Sequence, residues 1–335
     1  MELFTLDKLP RRLLAGLDIE TMFKASRCVI AAERLQLFRK LDRRELTAVA
    51  IGRLIGLHQR HRETFLNILT ALGLLLKRGN RYRVSRLARK YFITERGPHW
   101  TRLWSQYCAD DFAALSVLEE SLTTGRDYRK TLGTNRQPDY EMLRHDRRRA
   151  EDFTRMMHDT KRSQSKKLAR RLDLSDYKAL LDVGGGSGIM AMELVRTHPN
   201  LRACVQDFEP VCRAAKKIIK AEGFARRVAT YAADMTEEIA AGYDVVMFWD
   251  IGAVPTVSLN LAYRALPSGG LLLIGGCFSG KEELSLNLLT RRLTLVYPDH
   301  DSWQTTVTKV KAAGFGRVRR QRIKDTAWII TGRKS

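Results

Sequence analysis

The sequence predicts an α/β architecture: a parallel sheet wrapped by helices in the C-terminal half, preceded by a smaller helical unit with a β-wing. Three observations lead there. Five apolar, strand-like runs lie between residues 179 and 274 with helical stretches among them, the alternation that builds parallel βαβ units. A glycine cluster, Gly184-Gly185-Gly186-Ser187-Gly188, stands between the first of these runs and a helix. Residues 45–85 read as helix, turn, helix and two short strands.

Taken in chain order, residues 11–40 give a helical pattern whose apolar members are Leu13, Leu14, Leu17, Met22, Phe23, Val29, Ile30, Leu35 and Leu37. A short helix begins at Glu45, and the chain turns around Gly56. A second helix spans Arg62 to Leu72 with Phe65, Leu66, Ile68, Leu69 and Leu72 on its apolar side, and Gly73 stops it. Gly79-Asn80 turns the chain between strands Leu74–Arg78 and Tyr82–Ser85. This is a winged-helix order. Such a unit can place its second helix in a DNA major groove, with Arg60, His61 and Arg62 at the helix start. The apolar character of that helix argues for packing instead.

In the C-terminal half the strand runs are Ala179–Val183, Ala203–Gln206, Val228–Ala233, Asp244–Asp250 and Leu271–Ile274. A strand, glycine turn and helix open a nucleotide-binding unit, whose ligands sit beyond the carboxyl ends of the strands. The pattern is Asp182-x-Gly184-x-Gly186-x-Gly188, and Ile189 stands where a dinucleotide fingerprint needs its third small residue. The turn therefore suits a ligand without a pyrophosphate, such as the amino-acid end of S-adenosylmethionine. Asp207 follows Gly186 by 21 residues, where an acidic side chain can accept both ribose hydroxyls. Asp234-Met235, after the third run, can meet an adenine amino group and cover the ring.

Carboxylates placed in order after successive strands make this half resemble the class I S-adenosylmethionine-dependent methyltransferases, a Rossmann-like fold. The resemblance implies cofactor contacts at Asp182, Gly184, Gly186, Asp207, Asp234 and Met235, with Phe208 and Trp249 beside them. The whole chain resembles the winged-helix small-molecule O-methyltransferases of plants and bacteria. That likeness implies a winged-helix dimerisation domain over 1–98, a helical linker lining the substrate pocket over 99–172, and the cofactor domain over 173–335. It also implies a homodimer acting on a small molecule. Phe153 and Met157 fit the family's F-x-x-x-M pocket helix, and His158 follows them; plain helix packing explains such an i, i+4 pair equally well. Tyr107 and Cys108 fall in the stretch resembling the substrate helix.

The chain departs from this family at its catalytic base. The family's fourth strand leads into Leu-His-Asp-Trp, and its His falls here at Ala253 within Ile251-Gly252-Ala253-Val254-Pro255. No histidine occurs between His198 and His300. Substitute bases are Asp250, at the end of the fourth strand, and His300, between Asp299 and Asp301. Transfer without a base is also open, for an acceptor such as an activated ring carbon, a thiolate, an ionised phenol or an amine.

Composition sets the remaining bounds. Lys plus Arg number 59 against 37 Asp plus Glu, a net charge of +22, which suits an anionic substrate and keeps nucleic acid as an alternative partner. The basic residues are spread through the chain, as on solvated faces. The five cysteines are scattered without a CxxC pair, as in a reduced cytoplasmic protein. No membrane span, secretion signal or metal-ligand spacing is expected. A nucleic-acid methyltransferase and a winged-helix regulator with S-adenosylmethionine as effector remain as alternatives.

Overall fold

The computed structural model describes residues 18–94, 111–133, 139–276, 301–324 and 327–335. They divide into two compact units, one within residues 1–109 and one within 110–335.

In the first unit, α1 (Ile19–Arg34) starts at Asp18, whose carboxylate accepts the Thr21 amide at 2.6 Å. The single helical stretch expected up to residue 40 is broken at Gln36, which adopts a left-handed φ of 58° before one further turn over Leu37–Lys40. Next, β1 (Leu46–Thr47) leads into α2 (Ala48–Ile55). This helix starts later than Glu45 because Leu46 and Thr47 pair with β3, and Thr47 caps the helix by accepting the Ala50 amide. Gly56 ends it at a φ of 74°. The second helix, α3 (Arg62–Ala71), ends before Gly73 (φ 72°). The wing is the antiparallel pair β2 (Leu75–Arg78) and β3 (Arg81–Val84), with Leu75 opposite Val84. Apolar residues from each element close one core, including Phe38, Ile51, Leu66, Leu69, Tyr82 and Phe92. This is the winged-helix order read from the sequence, and the buried side of α3 packs inward.

In the second unit, short helices at Leu118–Thr124 and Tyr128–Thr131 precede α4 (Asp139–His145) and the long α5 (Arg147–Ala169). There follow β4 (Ala179–Val183), α6 (Ile189–Thr197), β5 (Arg202–Asp207), α7 (Glu209–Ala221), β6 (Val228–Ala232), β7 (Val245–Trp249), α8 (Thr256–Ala265) and β8 (Leu271–Gly276). The unit closes with α9 (Trp303–Ala312), β9 (Gly316–Lys324) and β10 (Ala327–Arg333). The described strands form a seven-stranded sheet in the order β6-β5-β4-β7-β8-β10-β9. β4 to β8 are parallel, and β10 runs antiparallel to both β8 and β9. The near-continuous apolar runs of the parallel strands follow from burial on both faces.

This order places the site. The chain winds outward from β4 through β5 to β6, then returns to β7 on the other side of β4. The reversal leaves a crevice beyond the carboxyl ends of β4 and β7, where ligands of open α/β sheets bind. The basic stretch at 317–324 is the edge strand β9. Arg320 there lies between Trp303 and Trp328, 4.0 Å from each ring centre, and charged edges discourage pairing with other chains. No helix among the described residues is long and apolar enough to cross a membrane.

Candidate functional site

Two adjoining chambers open over the crevice. The first is lined by the glycine turn Gly184–Ser187, by Asp182, by Phe153, Met157 and Lys161 of α5, and by Trp249 at the end of β7. The second is lined by Asp207, Phe208, Val211, Met235, Ile251 and Ala253, among others. Tyr140, Phe153, Gly184, Gly186 and Asp250 line both, and so mark their junction. The second chamber is the roomier, about 250 Å³ against about 110 Å³.

The glycine turn shows why side chains are missing there. Gly184 adopts a φ of 65°, its amide donates to Gln206 O at 2.7 Å, and a Cβ on it would lie 2.4 Å from Ile251 Cδ1. Gly186 (φ 56°) faces nothing within 4 Å, so bare backbone is open to the chambers. A Cβ on Gly185 would lie 2.6 Å from the Asp182 carboxyl carbon. Three successive glycines thus serve three purposes: turn geometry, open floor, and clearance for an acid beneath it.

That acid is fully buried, and neither Asp182 oxygen has a hydrogen-bond partner. Burial, reinforced by the nearby Asp207 charge and only partly offset by the Ala191 amide, pushes its pKa up to about 8. An acid in that state is complemented by a cation. Asp207 accepts the Gly186 amide at 2.9 Å and the Phe208 amide at 2.8 Å. Burial nevertheless raises its pKa to about 6. At the end of β6, Asp234 accepts the Thr236 amide and hydroxyl, each at 2.8 Å, and pairs with Arg144 of α4. The Arg144 guanidinium also lies 4.6 Å above the Phe208 ring centre.

Asp250 is held unusually. It adopts a φ of 56°, a costly conformation for a residue with a side chain. Its amide donates to Gly275 O at 2.9 Å, and its Oδ1 occupies the space that a Cβ on Gly276 would need, 2.5 Å away. Its Oδ2 accepts Lys161 Nζ at 2.8 Å. Trp249 lies against Gly275, where a Cβ would come within 2.0 Å of the ring.

Of the residues expected at the site, Asp182, Gly184, Gly186, Phe153, Met157, Trp249 and Asp250 line the first chamber, and Asp207, Phe208 and Met235 the second. Asp234 stands beside Met235, on Arg144. His158 lines neither chamber. It is buried between α5 and α7, where its Nε2 accepts from Arg162 at 2.8 Å and lies 3.6 Å from Glu222. Burial and the Arg162 charge hold its pKa below the usual imidazole value. Tyr107, Cys108 and His300 lie outside the described residues. Tyr140, Thr154, Lys161 and Gln164 were not anticipated; for Lys161 the signal was its spacing, two turns after Phe153 and one after Met157. Among the described residues, no group of His, Cys, Asp and Glu is arranged to hold a metal ion.

A family model described as an O-methyltransferase domain matches residues 115–296, more than half of the chain. The chain belongs to the O-methyltransferase domain family. This methyltransferase is 29% identical over 267 residues to 3-hydroxy-5-methyl-1-naphthoate 3-O-methyltransferase of Streptomyces sahachiroi, covering 77% of this chain and 75% of that one. It is 27% identical over 326 residues to L-tyrosine C(3)-methyltransferase of Streptomyces lavendulae, covering 90% and 86%. Its fold matches that of human N-acetylserotonin methyltransferase, solved with S-adenosylmethionine, at a TM-score of 0.77, 19% identity and 97% coverage of both chains. The enzyme is an S-adenosylmethionine-dependent methyltransferase. The residues present fit that cofactor: an unpartnered buried acid for a cationic tail, an open glycine floor, and carboxylates in place of phosphate-binding cations.

Proposed function

We propose that this methyltransferase alkylates a small aromatic acceptor whose reacting atom is already electron-rich, without a histidine base. The observation that supports this is the lining of the chambers: no described residue in either is a histidine, and Ala253 stands where the family's base is expected.

S-adenosylmethionine supplies an electrophilic methyl group on a sulfonium whose leaving thioether is neutral, so the departing group needs no acid. What remains for the chain is binding and alignment. Asp207 would hold the sugar hydroxyls, while its bond to Gly186 keeps the glycine floor in register. Phe208 and Met235, which line the larger chamber, would bound the adenine, with Asp234 next to Met235. Asp182 faces the ammonium of the tail, whose charge lowers the cost of ionising the buried acid. Tyr140, Phe153, Met157 and Trp249 give the first chamber aromatic and apolar walls, which exclude water and present flat faces to a flat acceptor. Orientation of this kind supplies up to about 7–11 kcal/mol. A general base adds roughly 10²–10⁴-fold, so its absence is tolerable when the acceptor is a phenolate or an activated ring carbon.

The likeness to enzymes named for a hydroxynaphthoate oxygen and a tyrosine ring carbon supports a phenol-bearing aromatic, and the net charge of +22 favours one that also carries a carboxylate. The same family likeness supports a homodimer formed through the N-terminal unit, to be checked by sedimentation. The decisive experiment is methyl transfer from isotopically labelled S-adenosylmethionine to hydroxynaphthoates and substituted phenols, read by mass spectrometry. Labelled product is expected at oxygen or ring carbon; cofactor binding with no transfer to any aromatic acceptor would overturn the reading.

A further inference from the structure

The first chamber carries a pair of opposite charges that the roles assigned above use only in part. Asp182 lies beneath the glycine floor, buried and unpartnered. Lys161 lines the same chamber, the one cation among the described residues that do. An α-amino acid carries an ammonium and a carboxylate on one carbon. A chamber lined by a buried acid and a lysine complements both.

We propose that Lys161 is the anchor for the carboxylate of the cofactor's methionine tail, bridging it to Asp250. The assignment rests on the reading of Asp182 and the glycine turn as the tail site. An ammonium offers three donors, and Asp250 Oδ2 takes one at 2.8 Å. In the proposed arrangement one donor stays on Asp250 while another turns to the carboxylate of the tail. Its reach is fixed at both ends. Lys161 projects from α5 on the stripe that carries Thr154, Phe153 and Met157, while Asp250 is set by its left-handed backbone, its bond to Gly275 and the clearance at Gly276. Thr154 adds a hydroxyl on the same stripe that is fully buried and without a hydrogen-bond partner. Asp182 and Thr154 thus bring to the chamber polar groups that the chain itself does not satisfy. In this arrangement Asp250 is a positioning residue: it holds Lys161 at the junction of the two chambers rather than taking a proton.

Calorimetric titration of the full-length enzyme with three probes tests this: S-adenosylmethionine, its decarboxylated form, and methylthioadenosine. The wild type should bind S-adenosylmethionine roughly 10–100-fold more tightly than the decarboxylated form, as expected for a charge-assisted bond. In Lys161→Met that preference should vanish, with the other two probes bound as before, to within about twofold. Lys161→Arg should restore most of it. Unchanged S-adenosylmethionine affinity in Lys161→Met overturns the assignment, as does equal weakening of all three probes, which would mark a structural role. A raised KM for the acceptor with unaltered cofactor affinity also overturns it and moves Lys161 to the acceptor. Wild type that binds none of the three would instead sink the cofactor-site reading beneath it.

Discussion

The Gly186 amide donates to the Asp207 carboxylate at 2.9 Å, so the acid proposed for the sugar also fixes the glycine floor beside it. Asp207→Ala removes both at once. Loss of charge-assisted bonds worth about 1.5–3 kcal/mol each should raise the cofactor Kd by at least roughly 100-fold. Asp207→Asn keeps an acceptor for Gly186 and should lose less. Titration of both variants separates the two duties; equal, small losses would remove Asp207 from sugar binding.

Asp182, buried, and Asp207, partly buried, set a pH dependence. Both carboxyls have folded pKa values raised above the ordinary 3.8, to about 8 and about 6. The folded, ligand-free enzyme therefore holds more protons than the unfolded chain, and its stability falls as pH rises from about 4 toward 8. Asp182→Asn removes the larger share. Its melting temperature should exceed that of wild type at pH 8, with the gap closing as pH falls, while cofactor binding is lost. His158 acts in the opposite sense, since its lowered pKa withdraws stability as pH drops below about 6.5. Melting curves between pH 6.5 and 8 thus isolate the acids, and a variant no more stable than wild type at pH 8 would show Asp182 to be already compensated.

The glycine turn, the strands and the acids near their ends were legible because their signals are local: apolar runs of strand length, glycines at the turn, and an Asp at or near the end of the first four runs. What escaped notice depends on distant partners. Lys161 and Asp250 are 89 residues apart, and only the return of β7 beside β4 brings them together. His158 follows Met157 directly, yet one residue is about 100° around a helix, which turns it from the chamber toward Glu222 on α7. The C-terminal hairpin was hidden for a different reason. Arg317–Lys324 carries the composition of a solvated surface, and its strand identity comes from pairing with β10 and from Arg320 between two tryptophans.

Trp249 and Gly275 give a stability test within the site. A methyl group at 275 would come within 2.0 Å of the indole, so Gly275→Ala must push the ring toward the first chamber. Overpacking of this kind costs about 1–3 kcal/mol. A lower melting temperature is expected, together with changed tryptophan emission and weaker cofactor binding. Cofactor affinity equal to wild type would show that the ring has room to move elsewhere.

Ala253 and Asp250 together decide whether a proton must be removed at all. Ala253→His restores the residue type of the family's base at a position lining the second chamber. If the acceptor reaches the enzyme electron-rich, a base there has nothing to accelerate, and kcat should stay within about threefold of wild type. A gain of roughly 10²-fold or more would show that deprotonation limits the native reaction. Asp250→Asn supplies the converse measurement. As a holder of Lys161, Asp250 should affect cofactor affinity more than kcat, and its replacement should leave the shape of the kcat–pH profile unchanged. Loss of an acid limb from that profile would instead make Asp250 the base. The two variants fail in different observables, so base-free alignment survives only if the histidine brings no gain and the asparagine keeps the limb.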